Sequence, residues 1–179
     1  YSSFSSTAGN PLLISIEAMA EDGLCSRTAS PGTPESHTVD QGAVRASKLP
    51  VLKRAAAQFG SGSPRWAEYE RFCAQRADWL DDYALFMALK DAHPGTSWNR
   101  WPSELARREP GALRGARRDL QELGEYHKFT QFVFHRQWSR VREEAHRRGI
   151  RIVGDIPFYV AFDSVGVCAN PGYFALHPA

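Results

Sequence analysis

The longest regular pattern in the chain runs from about Pro110 to Arg148, where apolar residues recur at intervals of three, four and seven. Such spacing places side chains on one stripe of an α-helix. Phe129, Phe132 and Val133 add apolar positions on other sides of its middle. The pattern predicts one long helix that is half-buried at its ends and fully buried at its centre. The stripe consists of Leu113, Ala116, Leu120, Leu123, His127, Phe134, Trp138, Val141 and Ala145.

Helical signals also fill the first third of the chain. Asn10 is a suitable N-cap and Pro11 a suitable first residue for a helix that Gly23 ends. Residues 44–59 predict an amphipathic helix that is interrupted near Pro50, because proline lacks the backbone N–H that a helix interior needs. The Ser-, Thr- and Pro-rich stretch between these helices predicts a surface loop.

Two further helices are predicted before the long one. In residues 66–73 the aromatic positions share one face, and residues 79–90 are apolar on nearly all sides, which is typical of a buried helix. Asp81 and Asp82 are the polar exceptions in the buried helix. They could be catalytic carboxylates, but acids at a helix start also favour the helix dipole, and this structural interpretation is preferred.

Two tryptophans, Trp98 and Trp101, lie in a short loop that precedes Ser103, a suitable N-cap. Tryptophan faces can stack on sugars or bases. Beside a proline they more often anchor a loop to a hydrophobic core, and the anchor is the preferred interpretation.

The stretch from Gly149 to Val160 predicts a buried β-strand that ends at a carboxylate. Its early positions are β-branched, and Pro157 prevents further ladder hydrogen bonds just beyond Asp155. A helix followed closely by a strand is the repeating unit of parallel α/β sheets and barrels. Asp155 and Asp163 would then follow a strand tip, where polar sites collect. Either residue could instead be a rim carboxylate that holds the loop, and the residues alone leave both alternatives open.

Charge and composition narrow the function classes. There are 22 basic and 20 acidic residues, a balance that does not call for a polyanionic partner. The arginines of the long helix could form a phosphate-binding surface, but acids are interleaved with them, so a solvated helix face is preferred. No run of apolar residues is long enough to cross a bilayer. The chain starts at Tyr1 without a methionine and is expected to be a piece of a longer protein.

Metal and disulfide chemistry find no support in the pattern. His127, His135 and His146 share the predicted helix but lie roughly 12 and 16 Å apart along it, too far to share one ion. The three cysteines are widely spaced and form no C-x-x-C motif, so a reducing, cytoplasmic setting is predicted. Walker, G-x-G-x-x-G and Ser-His-Asp arrangements are absent from the sequence.

Five segments, in order along the chain, resemble the 4-α-glucanotransferases, also called amylomaltases or disproportionating enzymes. They are Ala8–Ile14 (AGNPLLI), Asp78–Lys90 (DWLDDYALFMALK), Trp98–Pro102 (WNRWP), the positions Phe129, Gln131, Phe132, Arg136, Gln137 and Trp138, and Gly154–Val160 (GDIPFYV).

This resemblance implies glycoside hydrolase family 77 and an α/β fold, a (β/α)8 barrel with helical insertions. The chain would contribute part of that barrel and be mostly α-helical. Residues 1–17 would be a barrel loop and the start of the insertion, 18–148 the inserted helical subdomain, and 149–179 the third strand with its loop. The implied substrates are maltooligosaccharides and the α-1,4-glucans of starch or glycogen. The resemblance implies no cofactor and no metal, nucleic-acid or membrane partner.

The resemblance also implies roles for individual residues. Tyr1 would line the donor sugar site, and Asp155 and Asp163 would contact substrate, with Asp163 reaching the sugar at the point of cleavage. The family mechanism is retaining, and its catalytic carboxylates would come from later strands, so no catalytic residue is assigned here. Cys168 stands where the family usually has tryptophan, and Gly166 where it usually has a polar or acidic residue.

The sequence is also compatible with two rival functions. One is a helical interaction or nucleic-acid-binding module that uses the arginine-rich helix, for which salt-sensitive binding to polyanions is expected. The other is a scaffold fragment that binds neither polyanions nor glucans.

Overall fold

A computed structural model describes residues 3–26, 39–155 and 159–176 of the chain. Helices dominate these residues, and short 3-10 turns lie at Pro11–Leu13, Trp98–Arg100 and Pro171–Tyr173. The α-helices within the described ranges are α1 (Ile16–Glu21), α2 (Gln41–Gln58), α3 (Trp66–Gln75), α4 (Ala77–Ala92), α5 (Ser103–Ala106), α6 (Pro110–Asp119), α7 (Gln121–Arg147) and α8 (Val165–Ala169).

The chain divides into two compact units. The first draws on Tyr1–Ala8, Arg76–His127 and Val153–Ala179, and the second on Gly9–Gln75 and Lys128–Ile152, in each case through the described residues. These units group residues by contact. The boundaries predicted at residues 17 and 148 would instead separate the barrel from the insertion. They therefore cannot be compared directly with these contact-based units, and they stay predictions.

The core of the first unit is built on α4, which confirms the prediction of a buried helix. Seven of its side chains are buried, including Phe86, whose ring lies 5.5 Å from that of Trp101. Trp98 and Trp101 are both buried. The two tryptophans therefore anchor their loop, as predicted.

Asp82 has a structural role, but not the predicted one at a helix start, because Asp78 is the acid in the first turn of α4. Its carboxylate accepts a hydrogen bond from Arg108 at 2.7 Å and lies 3.6 Å from the guanidinium of Arg117. Arg108 has a φ of 56°, in the left-handed region that side-chain-bearing residues seldom adopt. The ion pair holds Arg108 in this turn between α5 and α6.

The second unit is centred on a cluster of aromatic rings. The ring of Phe59 lies 5.0 to 6.1 Å from those of four neighbours in α3 and α7. Tilted and edge-on contacts at these distances add stability beyond that of the buried area. The cluster explains why the aromatic face of residues 66–73 and the centre of the long helix are both apolar. The four neighbours are Trp66, Tyr69, Phe129 and Phe132.

Two glutamines of α7 hold the segment that leads into α1. The Gln131 side chain accepts from the N–H of Gly9 at 2.8 Å and donates to its carbonyl at 3.0 Å. Gln137 pairs in the same way with the N–H and carbonyl of Ser15, at 2.8 and 2.9 Å. Each side-chain amide thus replaces the backbone partner that a neighbouring strand would supply.

Gly9 has no room for a side chain. A Cβ atom there would lie 2.0 Å from a ring carbon of Phe134. We expect Gly9→Ala to lower the free energy of unfolding by about 1–3 kcal/mol, since inserting a methyl group into a packed region displaces its neighbours. Urea denaturation measures the change. Gly60→Ala is the matched control, because a Cβ at Gly60 meets no atom within 4 Å; equal losses in both variants would contradict the packing argument.

A buried carboxylate, Asp22, joins α1 to α3 and α7. Arg136 donates two hydrogen bonds to it at 3.0 and 3.2 Å and also pairs with Glu68. Arg140 donates a further bond at 2.5 Å, and a nitrogen of Arg65 lies 3.9 Å away. The Asp22 side chain is only 6% exposed, so these cations replace nearly all of its hydration.

This network makes stability depend on acid pH. Burial by itself raises the pKa of the Asp22 carboxyl, but the hydrogen bonds and charges of Arg136 and Arg140 outweigh burial and hold that pKa below its ordinary value. A carboxyl with a lowered folded-state pKa stabilises the protein above its unfolded-state pKa and loses that contribution as the pH falls through the folded-state value. We therefore expect the free energy of unfolding to decline below about pH 4. Asp22→Asn should show a smaller acid-induced decline in the same urea titrations; an identical decline would contradict this assignment.

Four predictions about the helices need correction. The single helix predicted from Pro11 to Gly23 is a 3-10 turn at Pro11–Leu13 followed by α1, whose N-cap is Ser15. The long pattern forms two helices, since Leu120 departs from helical geometry between α6 and α7. In contrast, α2 continues through Pro50, because Val51, Leu52 and Ala55 beyond it are buried and packing holds the helix together. The N-cap of α5 is Pro102, one residue before the predicted Ser103.

The buried strand predicted from Gly149 to Asp155 is not observed in the chain as described. Ile150, Ile152 and Val153 are exposed, Val153 to 89%, and the described ranges contain no β-strand. A strand exists only through ladder hydrogen bonds to a neighbouring strand. The described part of this chain contains no second strand to make them.

Candidate functional site

The three predicted sugar-contacting residues have different places in the structure. Tyr1 lies outside the described residues. Asp155 is exposed in a segment without regular secondary structure. Asp163 is half-buried, and Lys90 and Trp98 supply its described hydrogen bonds. Asp163 therefore belongs to a built arrangement of side chains.

Both oxygens of the Asp163 carboxylate are held. Oδ2 accepts a hydrogen bond from the Lys90 ammonium at 2.6 Å, and Oδ1 accepts one from the backbone N–H of Trp98 at 3.2 Å. Trp98 begins a 3-10 turn whose N-cap, Ser97, makes no side-chain capping bond. Asp163 thus satisfies an N–H at the start of that turn from a distant part of the chain.

Phe162 and Trp98 reinforce this attachment. The indole Nε1–H of Trp98 donates to the Phe162 carbonyl at 2.8 Å, and the two rings stack with centroids 5.4 Å apart. The Phe162 ring remains 46% exposed. Two backbone-linked hydrogen bonds and one stacked pair therefore hold the loop around Asp163 against the anchored tryptophan loop.

Lys90 lies at the centre of the arrangement. Besides Asp163, its ammonium donates to the Thr96 carbonyl at 2.7 Å and lies 5.3 Å from the centre of the Phe4 ring. Phe4 in turn contacts Phe86 in α4 and accepts, through its carbonyl, a hydrogen bond from the N–H of Val165. The segment near the start of the chain and the Asp163 loop thus meet at one lysine.

The two residues that depart from the family pattern follow on α8. Ser164 caps this helix. Cys168 is buried against Arg108, and burial raises the pKa of its thiol although Arg108 acts in the opposite direction. A Cβ at Gly166 would meet Val160 at an ordinary 3.7 Å. The backbone at Gly166 therefore does not require glycine.

Sequence reasoning missed the contributions of Lys90, Phe4 and Thr96. A lysine in the last turn of a helix is ordinarily explained by the helix dipole. The available signal was that Lys90 directly follows the apolar run from Tyr83 to Leu89, where its stem must pass along the core. Its partner lies 73 positions further along the chain, which no local pattern shows.

Other types of site find no support in the described ranges. They contain no group of three histidine, cysteine or acidic side chains that could hold a metal ion. In the same ranges, no helix has both the length and the apolar character needed to cross a membrane.

Comparisons with known proteins agree on one family. A family model described as 4-alpha-glucanotransferase matches residues 1–179. The 4-alpha-glucanotransferase of Thermus thermophilus is 48% identical over 98% of this chain and 35% of its own length. That of Synechocystis is 44% identical over 99% of this chain and 36% of its own length. The chain thus spans about a third of the length of these relatives.

A solved structure extends the comparison to three dimensions. The amylomaltase from Streptococcus agalactiae, determined in complex with acarbose, matches 99% of this chain with a TM-score of 0.90 and 34% sequence identity. The match covers 36% of the amylomaltase chain.

Proposed function

Because the chain belongs to the 4-alpha-glucanotransferase family, we propose that the protein containing it transfers segments of α-1,4-glucan from one maltooligosaccharide to another. The observation that carries this proposal is the match of nearly the whole chain to the amylomaltase solved with acarbose. Starch- or glycogen-derived glucans are the proposed natural substrates. The setting we propose is the cytoplasm, in agreement with three cysteines that form no disulfide.

The proposed reaction is a retaining double displacement. One carboxylate forms a covalent glycosyl intermediate and a second acts first as acid and then as base, the two standing about 5–5.5 Å apart. A sugar hydroxyl, in place of water, then releases the intermediate. We assign both carboxylates to parts of the protein outside this chain.

This chain's proposed part is to bind sugar. Asp163 suits this role because its side chain is 31% exposed and each oxygen, although already bonded once, can accept another hydrogen bond. The exposed rings of Phe4, Tyr159 and Phe162 lie in the two segments that carry Tyr1 and Asp163. Aromatic faces of this kind can stack on the apolar face of a sugar ring. Tyr1 and Asp155 are proposed as further sugar contacts from the resemblance.

The fold proposed for the whole protein is a (β/α)8 barrel. Residues 149–153 would pair as a strand once neighbouring strands are present, which is consistent with their β-branched, exposed side chains. Residues 18–148 would be the helical insertion, 1–17 a barrel loop and the start of that insertion, and 149–179 the third strand with its following loop.

The arginine-rich helix gives no comparable support to nucleic-acid binding. Arg136 and Arg140 bind Asp22, while Arg147 and Arg148 bind Glu144. Arginines already paired with carboxylates neutralise fewer phosphates.

Incubation of the full reading frame with maltotriose tests the proposed function. We expect glucose and both longer and shorter maltooligosaccharides, and we expect Asp163→Ala to lower kcat/KM about tenfold or more because a sugar hydroxyl loses its charged acceptor. Asp119→Ala is the control, since Asp119 is exposed and pairs with its neighbour Arg118. Product analysis by chromatography measures both. Maltotriose left unchanged by the wild-type protein would disprove the transferase, and full activity of Asp163→Ala would disprove only the sugar contact.

A further inference from the structure

We propose that Lys90 is a positioning residue for glucan transfer, which acts by fixing the Asp163 carboxylate and the segment around Phe4 in one arrangement. This inference rests on the proposed function and on Asp163 as a sugar contact. Lys90 itself does not bind the sugar.

The surroundings of the Lys90 ammonium support this role. The ammonium donates to Asp163 Oδ2 at 2.6 Å and to the Thr96 carbonyl at 2.7 Å, and it lies over the Phe4 ring, 5.3 Å from its centroid. The side chain is only 11% exposed. The Lys90 ammonium is therefore occupied by protein partners and is too buried to donate a hydrogen bond to a substrate hydroxyl.

The effect on Asp163 is to fix its orientation. With Oδ2 held by Lys90 and Oδ1 held by the N–H of Trp98, the carboxylate cannot rotate without breaking one of the two bonds. The lone pairs that remain then point in fixed directions. A preorganised acceptor binds a hydroxyl without the entropic cost of ordering its own side chain, and displacement by about 1 Å can cost on the order of 100-fold in rate.

Through its contact with Phe4, Lys90 also fixes the position of a second segment of the chain. Phe4 lies three positions after Tyr1, and its carbonyl accepts the N–H of Val165, two positions after Asp163. A single ammonium thus links the segments that carry two of the proposed sugar contacts. Removal of its charge releases both.

A double-mutant cycle in the full reading frame separates positioning from simple folding. We expect Lys90→Met to lower kcat/KM for maltotriose about tenfold, and the double variant with Asp163→Ala to be no worse than Asp163→Ala alone, within about twofold. Two residues that act through one interaction show such non-additivity. Independent effects that multiply to about 100-fold would overturn the inference, because a merely structural lysine would remain costly without Asp163.

Lys48→Met is the matched control. The Lys48 ammonium also donates to two described acceptors, the carbonyls of Leu12 and Ile14 at 2.8 and 2.9 Å, but it does not bind Asp163. We expect a loss of stability comparable to that of Lys90→Met and a change in kcat/KM within about twofold for folded protein. Circular dichroism checks folding, and Lys90→Gln replaces Lys90→Met if the latter unfolds.

The remaining outcomes are distinguishable. If the wild-type protein disproportionates maltotriose and the folded Lys90 variants keep full activity, the inference is wrong and the proposed function stands. If both Lys90 variants unfold, Lys90 serves folding and the inference is again wrong. If the wild-type protein leaves maltotriose unchanged, the proposed function fails first and the inference fails with it.

Discussion

Asp22→Ala should lower the free energy of unfolding by about 3–5 kcal/mol, the usual cost of removing one partner from a buried ion pair. Asp22 is nearly inaccessible and accepts hydrogen bonds from both Arg136 and Arg140. Without it, the Arg136 side chain, itself 13% exposed, retains only Glu68 as a described acidic partner. The loss of stability comes mainly from this under-compensated cation, and urea denaturation measures it.

Glu144→Ala is the control for the Asp22 experiment. Glu144 also pairs with two arginines, Arg147 and Arg148, but all three side chains are well exposed to water. Exposed pairs contribute about 0–1 kcal/mol. A loss in Asp22→Ala no greater than that in Glu144→Ala would show that burial does not govern the strength of this network.

Gln131→Leu should be the second most damaging change, with an expected loss of about 2–4 kcal/mol in the free energy of unfolding. Leucine fills a similar volume, so the change tests hydrogen bonding more than packing. Gln131 is fully buried, and the N–H and carbonyl of Gly9 would both lose their side-chain partner. Each buried polar group left unsatisfied costs about 1–3 kcal/mol.

Gln137→Leu is the comparison for Gln131→Leu, because it makes the same substitution at a glutamine with the same kind of hydrogen bonds. Gln137 makes the same pair of hydrogen bonds to Ser15 but is only partly buried, so water can replace it. We expect the smaller loss here, by thermal or urea unfolding. A larger loss at Gln137 than at Gln131 would contradict the argument from desolvation.

Much of the helical organisation follows from local signals. Asn10 accepts from the N–H of Leu12 and Gly23 follows α1 with a φ of 73°, as their residue types predict, although the single helix predicted between them is a 3-10 turn followed by α1. The burial of α4 follows from apolar residues on all its sides. These features depend on neighbours within a few positions, so the order of residues contains the necessary information.

Other features could not be predicted from the pattern of apolar and polar residues. The stripe of the long pattern continues across Leu120 because periodicity reports which face is buried and not whether the axis is continuous. The β-branched residues after Gly149 have the composition of a strand, yet a strand also needs a partner. In both cases the missing information concerns the environment of the segment.

The sequence by itself determined the positions of most helices, the anchoring of the two tryptophans and, through ordered motifs, the resemblance to the 4-alpha-glucanotransferases. Only the tertiary structure decided that Lys90 holds Asp163 and that Gln131 holds Gly9, pairs separated by 73 and 122 positions. The physical reason is the separation along the chain over which each kind of interaction acts. Capping and amphipathicity act within one or two helical turns, whereas a hydrogen bond between distant residues exists only after the chain has folded and brought donor and acceptor together.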